Sequence, residues 1–587
     1  METYNLRRKS ITANEAKTLF GLFKKRIQFS PKRTAYRYFD TSLGDWHSLT
    51  WKQTANIVAQ WQAALIKENL LIGDRVGFML RTCVESTLFE IAAIGLGLVS
   101  VPLFVQDRLE NTLFIIKNTG IKLLLVENTN QQNRLLSQTK ELQDLRVISL
   151  DTIANWLPEP NHFELIDKQT NPDAIVAIYH TSGTTGRSKG AMFSHKNILA
   201  NIEATSKTIA FHNNDVIVPF IGGYFLSMLV DITIAYPRSF EDLKIIRPTL
   251  IVSSANIYVY FYKYIQNQLI QKSKWMQWLF QLTVHIGWLR FQVKNGREKY
   301  SKKLLLWPLL NILVARHLRN QLGGQVRFGL YASERLSSKI SRTMLGLGLS
   351  ILSCYGQTEA GPVISVNRPN DNMPASVGIP LEHVMIRLDN MSSYQTQTKN
   401  KMGEIAIKTP GIMKGYWNND LATQRVLDND GWLHTGDVVQ IDSQGRLYFV
   451  DRVINLLVMQ NGEYISPIKI ETELISDSLF DQAMVIGKDK PFLTALIVLN
   501  MTVWKQLTDK MKINPEDPNV LENQVVKDLI LARINSIIQK NIGMIEISRI
   551  TLLLQPWTID NNLITPTGKL KRSNLCITYA EVIDRMY

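Results

Sequence analysis

Tyr179-His180-Thr181-Ser182-Gly183-Thr184-Thr185-Gly186-Arg187-Ser188-Lys189-Gly190 is the stretch on which the reading of this 587-residue chain turns. An apolar run, Ala174 to Ile178, leads into it and reads as a buried strand. Thr181 to Gly186 are then drawn only from Thr, Ser and Gly. Glycine lets the backbone turn tightly and approach an anion closely. Successive amides in such a turn form a nest of donors, and the hydroxyls add to it. Lys189 supplies a point charge suited to phosphate. A flexible linker can share this composition, but it has no reason to follow a buried strand and end in Lys-Gly. A Walker A loop needs Gly, four residues, then Gly-Lys-Ser/Thr. Counting from Gly183, Ser188 stands where the second Gly belongs and Gly190 where the final hydroxyl belongs, so that reading fails.

The bulk numbers set the frame. At 587 residues the chain is too long for one compact core and fits two or more domains. A hydrophobic content of 45% with 20% charged residues places it among ordinary globular proteins. Cys83, Cys354 and Cys576 are too far apart in sequence for a disulfide framework or zinc spacing, which points to a reducing cytoplasm. Met1 to Ser10 is polar and charged, with no apolar signal core. The longest uncharged apolar run, Ile91 to Val105, is too short to span a bilayer and contains Pro102, so no transmembrane helix is expected. A net charge of +15 suits nucleic acid, anionic lipid or an anionic substrate. No RNA- or DNA-binding motif accompanies it, and nucleic acid is not expected as a partner.

Along the chain, Ala13 to Asp40 reads as a helix and then an extended segment. Leu49-Thr50-Trp51 opens an amphipathic helix through Leu65, with Ile57, Ala59, Trp61 and Leu65 at helical spacing. Strands are predicted at Val76 to Leu80, Val99 to Phe104 and Lys122 to Val126, with a helix around Leu88 to Gly97. Alternating helices and apolar strands predict a parallel α/β sheet.

Later motifs suit a nucleotide. In Tyr355-Gly356-Gln357-Thr358-Glu359, Tyr355 can stack on a base, Thr358 can bond a phosphate and Glu359 can hold Mg²⁺ through oxygen. In Gly431-Trp432-Leu433-His434-Thr435-Gly436-Asp437, an acceptor-only carboxylate fits a pair of vicinal hydroxyls. Gly445 to Arg452 reads as a turn and strand, and Thr565-Pro566-Thr567-Gly568-Lys569-Leu570-Lys571-Arg572 as a basic C-terminal stretch.

Together these motifs resemble the adenylate-forming superfamily, the AMP-dependent acyl-CoA synthetases, over nearly the whole chain. The glycine-rich loop is similar to that family's Thr-Ser-Gly-Thr-Thr-Gly-x-Pro-Lys-Gly, with Ser188 in place of Pro. The resemblance implies a large N-terminal α/β domain of several subdomains, residues 1–452, and a small mobile C-terminal α+β domain, residues 453–587. It implies an ATP site of Thr181, Ser182, Gly183, Thr184, Thr185, Gly186, Lys189, Tyr355, Gly356, Gln357, Thr358, Asp437 and Arg452. Asp437 would hold the ribose, Glu359 the metal, and Lys569, with Glu359 and Thr184, would carry the chemistry. Lys571 is the lesser candidate for the adenylation lysine.

Some positions depart from that pattern. The family's Leu-Pro-x-x-His aligns with Val218 to Gly222, so its His is Gly222, with Tyr224 nearby as a substitute. Its Val-Pro-Arg appears as Ala255-Asn256-Ile257, its Gly-Gly-Ala-Pro against adenine is replaced by Leu330-Tyr331-Ala332-Ser333-Glu334-Arg335 with Glu334 and Arg335 as bulky replacements, and its charged hinge residue is Ile454. Residues 257–322 are aromatic and basic, with Trp275, Trp278, Leu279, Leu282, Ile286, Trp288 and Leu289 at helical spacing. Two readings fit them: a basic amphipathic helix in a lipid interface, or a helical pair packed on the domain with solvated charges. A long insertion here resembles long-chain fatty acyl-CoA synthetases in particular. The implied activity is ATP-dependent activation of a long-chain fatty acid through acyl-AMP, then transfer to coenzyme A, in the cytoplasm with peripheral membrane contact. The alternatives are transfer to a carrier-protein thiol, or a non-catalytic lipid- or nucleotide-binding protein on a decayed fold.

Overall fold

A computed structural model describes residues 10–138, 145–168, 171–181, 187–220, 224–332, 334–389, 401–511, 513–515 and 517–587. Ser182, Gly183, Thr184, Thr185 and Gly186, and the departures at Gly222 and Ser333, lie outside the described residues.

The expected parallel sheet divides into two. A nine-stranded sheet runs Ile379–Pro380, Ser365–Val366, Ile351–Tyr355, Phe328–Ala332, Leu250–Ser254, Val216–Pro219, Thr233–Tyr236, Thr34–Asp40, Asp45–Thr50. A seven-stranded sheet runs Gly415–Tyr416, Lys189–Ser194, Ile175–Thr181, Val99–Pro102, Arg75–Met79, Ile121–Val126, Arg146–Ser149. Each is parallel in its middle and antiparallel at an edge. The reason is connection length: parallel neighbours need a crossover, whereas strands joined by a short turn pair antiparallel.

Helices fill the space between the sheets. Thr50 caps Trp51–Lys67, accepting from the Gln53 amide while the Gln53 side chain returns to the Thr50 amide. This helix buries Trp51, Val58, Trp61 and Leu65. Residues of Leu19–Phe29, Val84–Gly95 and His195–Thr208 join the same apolar core. Ile234, Leu330 and Leu352 enter it from one sheet, and Val76, Leu123 and Leu125 from the other.

A four-stranded antiparallel sheet, Met385–Asp389, Lys401–Lys408, Leu433–Ile441 and Leu447–Arg452, leads to the C-terminal body. The chain turns at Val453–Asn455, where Ile454 is exposed. Beside this turn the buried Asp451 accepts from the Ser466 hydroxyl at 2.7 Å and the Ile468 amide at 3.3 Å. Beyond it, helices Pro467–Leu474 and Gln524–Asn541 pack on strands Phe480–Ile486, Leu493–Leu499 and Ile547–Leu553. Lys263 to Asp481 (3.1 Å) and the Ser338 amide to Glu473 (3.0 Å) tie this body to the larger one.

The aromatic, basic region folds as helices Ala255–Ile270 and Lys274–Lys294, followed by short helical turns from 302 to 320. Leu279, Phe280, Val284 and Ile286 are buried. A Cβ at Gly287 would lie 1.7 Å from the Gly346 carbonyl, so glycine allows helix Lys274–Lys294 to touch Ser338–Gly346. Trp275 and Trp278 point away from this contact and are exposed. Among the described residues, no helix is long and apolar enough to cross a membrane.

Candidate active site

The strands on either side of the glycine-rich stretch, Ile175–Thr181 and Lys189–Ser194, pair antiparallel. Thr181 and Lys189 face each other across antiparallel strands, and Ser188 donates to the Thr181 carbonyl at 2.7 Å. A strand follows the loop, whereas a P-loop opens a helix. Strand Gly415–Tyr416 pairs with Lys189–Ser194 and brings Tyr416 alongside. The Lys189 ammonium lies 5.1 Å from the Tyr416 ring centre. The Tyr416 hydroxyl donates to Glu359 Oε1 at 2.7 Å. Lys189, Tyr416 and Glu359 are thus one linked group, although 170 residues separate the first from the last.

Glu359 sits in a tight turn, Thr358–Ala360, after strand Ile351–Tyr355. The turn closes through the Gly361 amide to Thr358 and the Ala360 amide to Gln357. Gly356 is required for it: a Cβ there would lie 1.8 Å from the Pro362 carbonyl oxygen. Tyr355 is buried, and its hydroxyl donates to Asp437 Oδ2 at 2.8 Å. Burial, and then Asp437, raise the Tyr355 pKa well above 10, so it remains a phenol and a donor. Sequence reasoning expected stacking from this ring; its hydrogen bond to Asp437 was missed.

Asp437 lies in strand Leu433–Ile441, directly opposite Arg452 in the neighbouring strand. Its Oδ1 is 3.2 Å from Arg452 Nε, yet accepts no hydrogen bond. A buried carboxylate oxygen with no donor is costly unless a ligand supplies one. That open acceptor fits a ribose hydroxyl. Burial raises the Asp437 pKa, while Arg452 and the Tyr355 hydrogen bond oppose the rise.

Lys569 arrives from the C-terminal body on a turn in which its amide bonds Thr565 Oγ1 at 3.1 Å and Gly568 takes φ +84°. At Gly568 a Cβ would face Asn256 Nδ2 at 3.8 Å and Glu334 Oε1 at 3.9 Å. Burial, then Arg452, lower the Lys569 pKa below the usual lysine value; Glu334, Asp437 and Glu359 oppose them. The lysine therefore enters the same charged cleft as the nucleotide motifs. Lys571 is held elsewhere, donating to Asn562 Oδ1 at 2.6 Å. Tyr416 had no assigned role in the sequence, and only its place in a Gly-Tyr-Trp run marked it. Glu334 read as a bulky replacement in an adenine pocket; the structure turns its carboxylate toward the Gly568–Lys569 turn.

A magnesium ion needs few protein ligands when a nucleotide brings phosphate oxygens and water completes the shell. Glu359 fits that use, being an oxygen donor with one oxygen held by Tyr416. Among the described residues, no group of three or more His, Cys, Asp or Glu forms a separate metal cage.

The sequence pattern of the AMP-binding enzyme family matches residues 23–417, and that of the AMP-binding enzyme C-terminal domain matches residues 455–587. The chain belongs to the AMP-binding enzyme family. It is 26% identical to long chain acyl-CoA synthetase 6, peroxisomal, of Arabidopsis thaliana, over 93% of this chain and 82% of that protein. It is 25% identical to long-chain-fatty-acid--CoA ligase 5 of Rattus norvegicus, over 98% and 89%. The fold is shared with the adenylation domain of a Mycobacterium chelonae carboxylate reductase: TM-score 0.73, 20% identity, 97% of this chain and 91% of that one. The architecture is thus the adenylate-forming fold, with a large N-terminal and a small C-terminal domain.

Proposed function

We propose that the chain is an ATP-dependent long-chain fatty acid–CoA ligase. In the first half-reaction a fatty carboxylate oxygen attacks the α-phosphorus of ATP, the bond to the bridging oxygen breaks, and pyrophosphate leaves. In the second, the sulfur of coenzyme A attacks the acyl carbonyl, its proton passes to solvent, and AMP leaves. The observation that carries this reading is Lys569 lying in the charged cleft that holds Glu359, Asp437 and Arg452. The long-chain relatives support the choice of acid.

The chemistry asks for this arrangement. A carboxylate and a triphosphate repel, so attack requires neutralisation and alignment. Lys189 and residues 181–186 hold the outer phosphates. Tyr355 to Thr358 line the nucleotide, with Asp437 on the ribose and Arg452 beside it. Glu359 would hold a Mg²⁺ ion bound with the nucleotide, which would supply charge neutralisation at the phosphates. Lys569 spans the attacking carboxylate and the α-phosphate. The mobile C-terminal domain, from Val453 onward, then rotates and withdraws Lys569 for thioester formation. The enzyme works in the cytoplasm, taking its acid from a membrane surface.

Incubating the purified protein with Mg-ATP and fatty acids of graded length, with and without coenzyme A, tests this directly. Mass spectrometry should show acyl-CoA, greatest for long chains. Acyl-AMP alone would instead favour a carrier-protein thiol as acceptor. Neither product, with nucleotide still bound, would favour a non-catalytic binding protein.

A further inference from the structure

Residues 304–315 form an uncharged run of twelve, Leu-Leu-Leu-Trp-Pro-Leu-Leu-Asn-Ile-Leu-Val-Ala. They wind through three short helical turns, Lys302–Leu306, Trp307–Leu310 and Asn311–Ala315. One face is packed: Leu310, Val314 and Ala315 join the core containing Phe280 and Val284, and Arg290 lies 5.2 Å from the Trp307 ring centre. The opposite face is not covered. Leu305, Leu306, Leu309, Ile312 and Leu313 are each 47–71% exposed. Single exposed leucines need no explanation. Five within nine residues, at helical spacing, make a continuous ridge. A helix that is apolar all round is ordinarily buried on all sides.

The charge that flanks the ridge in sequence is one-sided. Exposed Lys302 and Lys303 precede it, and exposed Arg316 and His317 follow. Residues 257–322 hold eleven Lys and Arg and one acidic residue, Glu298. That is a net +10, against +15 for the whole chain. The exposed Trp275 and Trp278 lie on the outer face of the helix that supports the ridge. At 1.5 Å per residue the run is about 18 Å long, short of the ~30 Å hydrocarbon core. It has the length and character of a segment lying in the plane of an interface.

We propose that this ridge docks the protein on an anionic lipid surface, with Leu305, Leu309 and Ile312 seated below the headgroups and the bracketing Lys and Arg at the phosphates. Charge complementarity selects the occupant. Nucleic acid matches the sign but gives five aliphatic side chains nothing apolar to enter. Anionic lipid matches both. The proposal rests on the fatty-acid reading only for its purpose, since a long-chain acid resides in bilayers.

The test is co-sedimentation of the full chain with vesicles of phosphatidylcholine alone or mixed with phosphatidylglycerol. The protein should pellet with the mixed vesicles, and less so as salt rises. Leu309→Glu with Ile312→Glu should weaken binding by at least about tenfold, since two aliphatic side chains would no longer be drawn from water. Lys302→Gln with Lys303→Gln should weaken it less and reduce the salt dependence. All are exposed positions, so thermal melting should be unchanged. No pelleting with mixed vesicles, or undiminished pelleting of the Leu309/Ile312 variant, overturns the proposal. So does concentration-dependent self-association that this variant abolishes while vesicles bind neither form; the ridge then serves a second copy. Acyl-AMP formation is read separately, so failure of the ligase reading leaves the vesicle result standing.

Discussion

The Tyr355 hydroxyl donates a 2.8 Å hydrogen bond to Oδ2 of Asp437 and thereby leaves Oδ1 as the open acceptor of that carboxylate. The bond is buried and charge-assisted, a class worth about 1.5–3 kcal/mol. Tyr355→Phe should weaken ATP binding about tenfold or more, measured by titration calorimetry. Asp437→Asn should erase most of the preference for ATP over its 2′,3′-dideoxy analogue. If that preference persists, Asp437 does not hold the ribose.

Lys569→Ala removes the cation from the cleft. Losing one such electrostatic contact costs about 3–4 kcal/mol of transition-state stabilisation. Acyl-AMP formation should fall about 100- to 1000-fold, while thioester formation from supplied acyl-AMP survives. Equal loss of both half-reactions would falsify the assignment.

The same lysine sets an alkaline limit. In the proposed adenylation it would act as a cation, and burial and Arg452 bring its pKa below the usual lysine value. Adenylation should therefore decline with rising pH earlier than an ordinary lysine would dictate. Glu334 opposes that lowering. Glu334→Gln should move the decline to still lower pH, read from the pH profile of pyrophosphate release. An unmoved profile would show that Glu334 and Lys569 do not interact.

Gly356→Ala places a methyl 1.8 Å from the Pro362 carbonyl oxygen, which is backbone and cannot swing aside. Such overpacking costs about 1–3 kcal/mol. Denaturant unfolding should register that loss, and nucleotide affinity should fall as the 355–361 turn shifts.

Glu90 offers a stability test away from the cleft. Burial raises its carboxyl pKa to about 7 from 4.5, and the Ser100 hydroxyl opposes the rise. A raised folded-state pKa means the folded protein holds the proton longer. Stability is then lost as pH rises from 4.5 through 7. Glu90→Gln should gain roughly 3 kcal/mol at pH 8 and little at pH 4.5, because one pKa unit is about 1.4 kcal/mol. A gain that is the same at both values would exclude titration of Glu90 as the cause.

The sequence by itself determined the nucleotide motifs, their order, and the positions of several helices and strands. These are short-range signals: a Thr/Ser/Gly run after an apolar strand, Thr50 before Trp51, a Tyr-Gly-Gln-Thr-Glu turn. Each is written within one helical period or one hairpin, where local patterning and backbone sterics suffice. It also marked the aromatic, basic insertion, but left two readings of it open. The division of one expected sheet into two was decided only by the fold, because apolar runs do not state which neighbour they pair with. The same holds for Tyr416, which joins Glu359 across 57 residues, and for Tyr355, which reaches Asp437 across 82. The split of the 304–315 run into one packed and one bare face also depended on what packs against it. Hydrophobicity in sequence says that a side chain is driven from water. Only the packed chain decides which apolar surfaces found a partner.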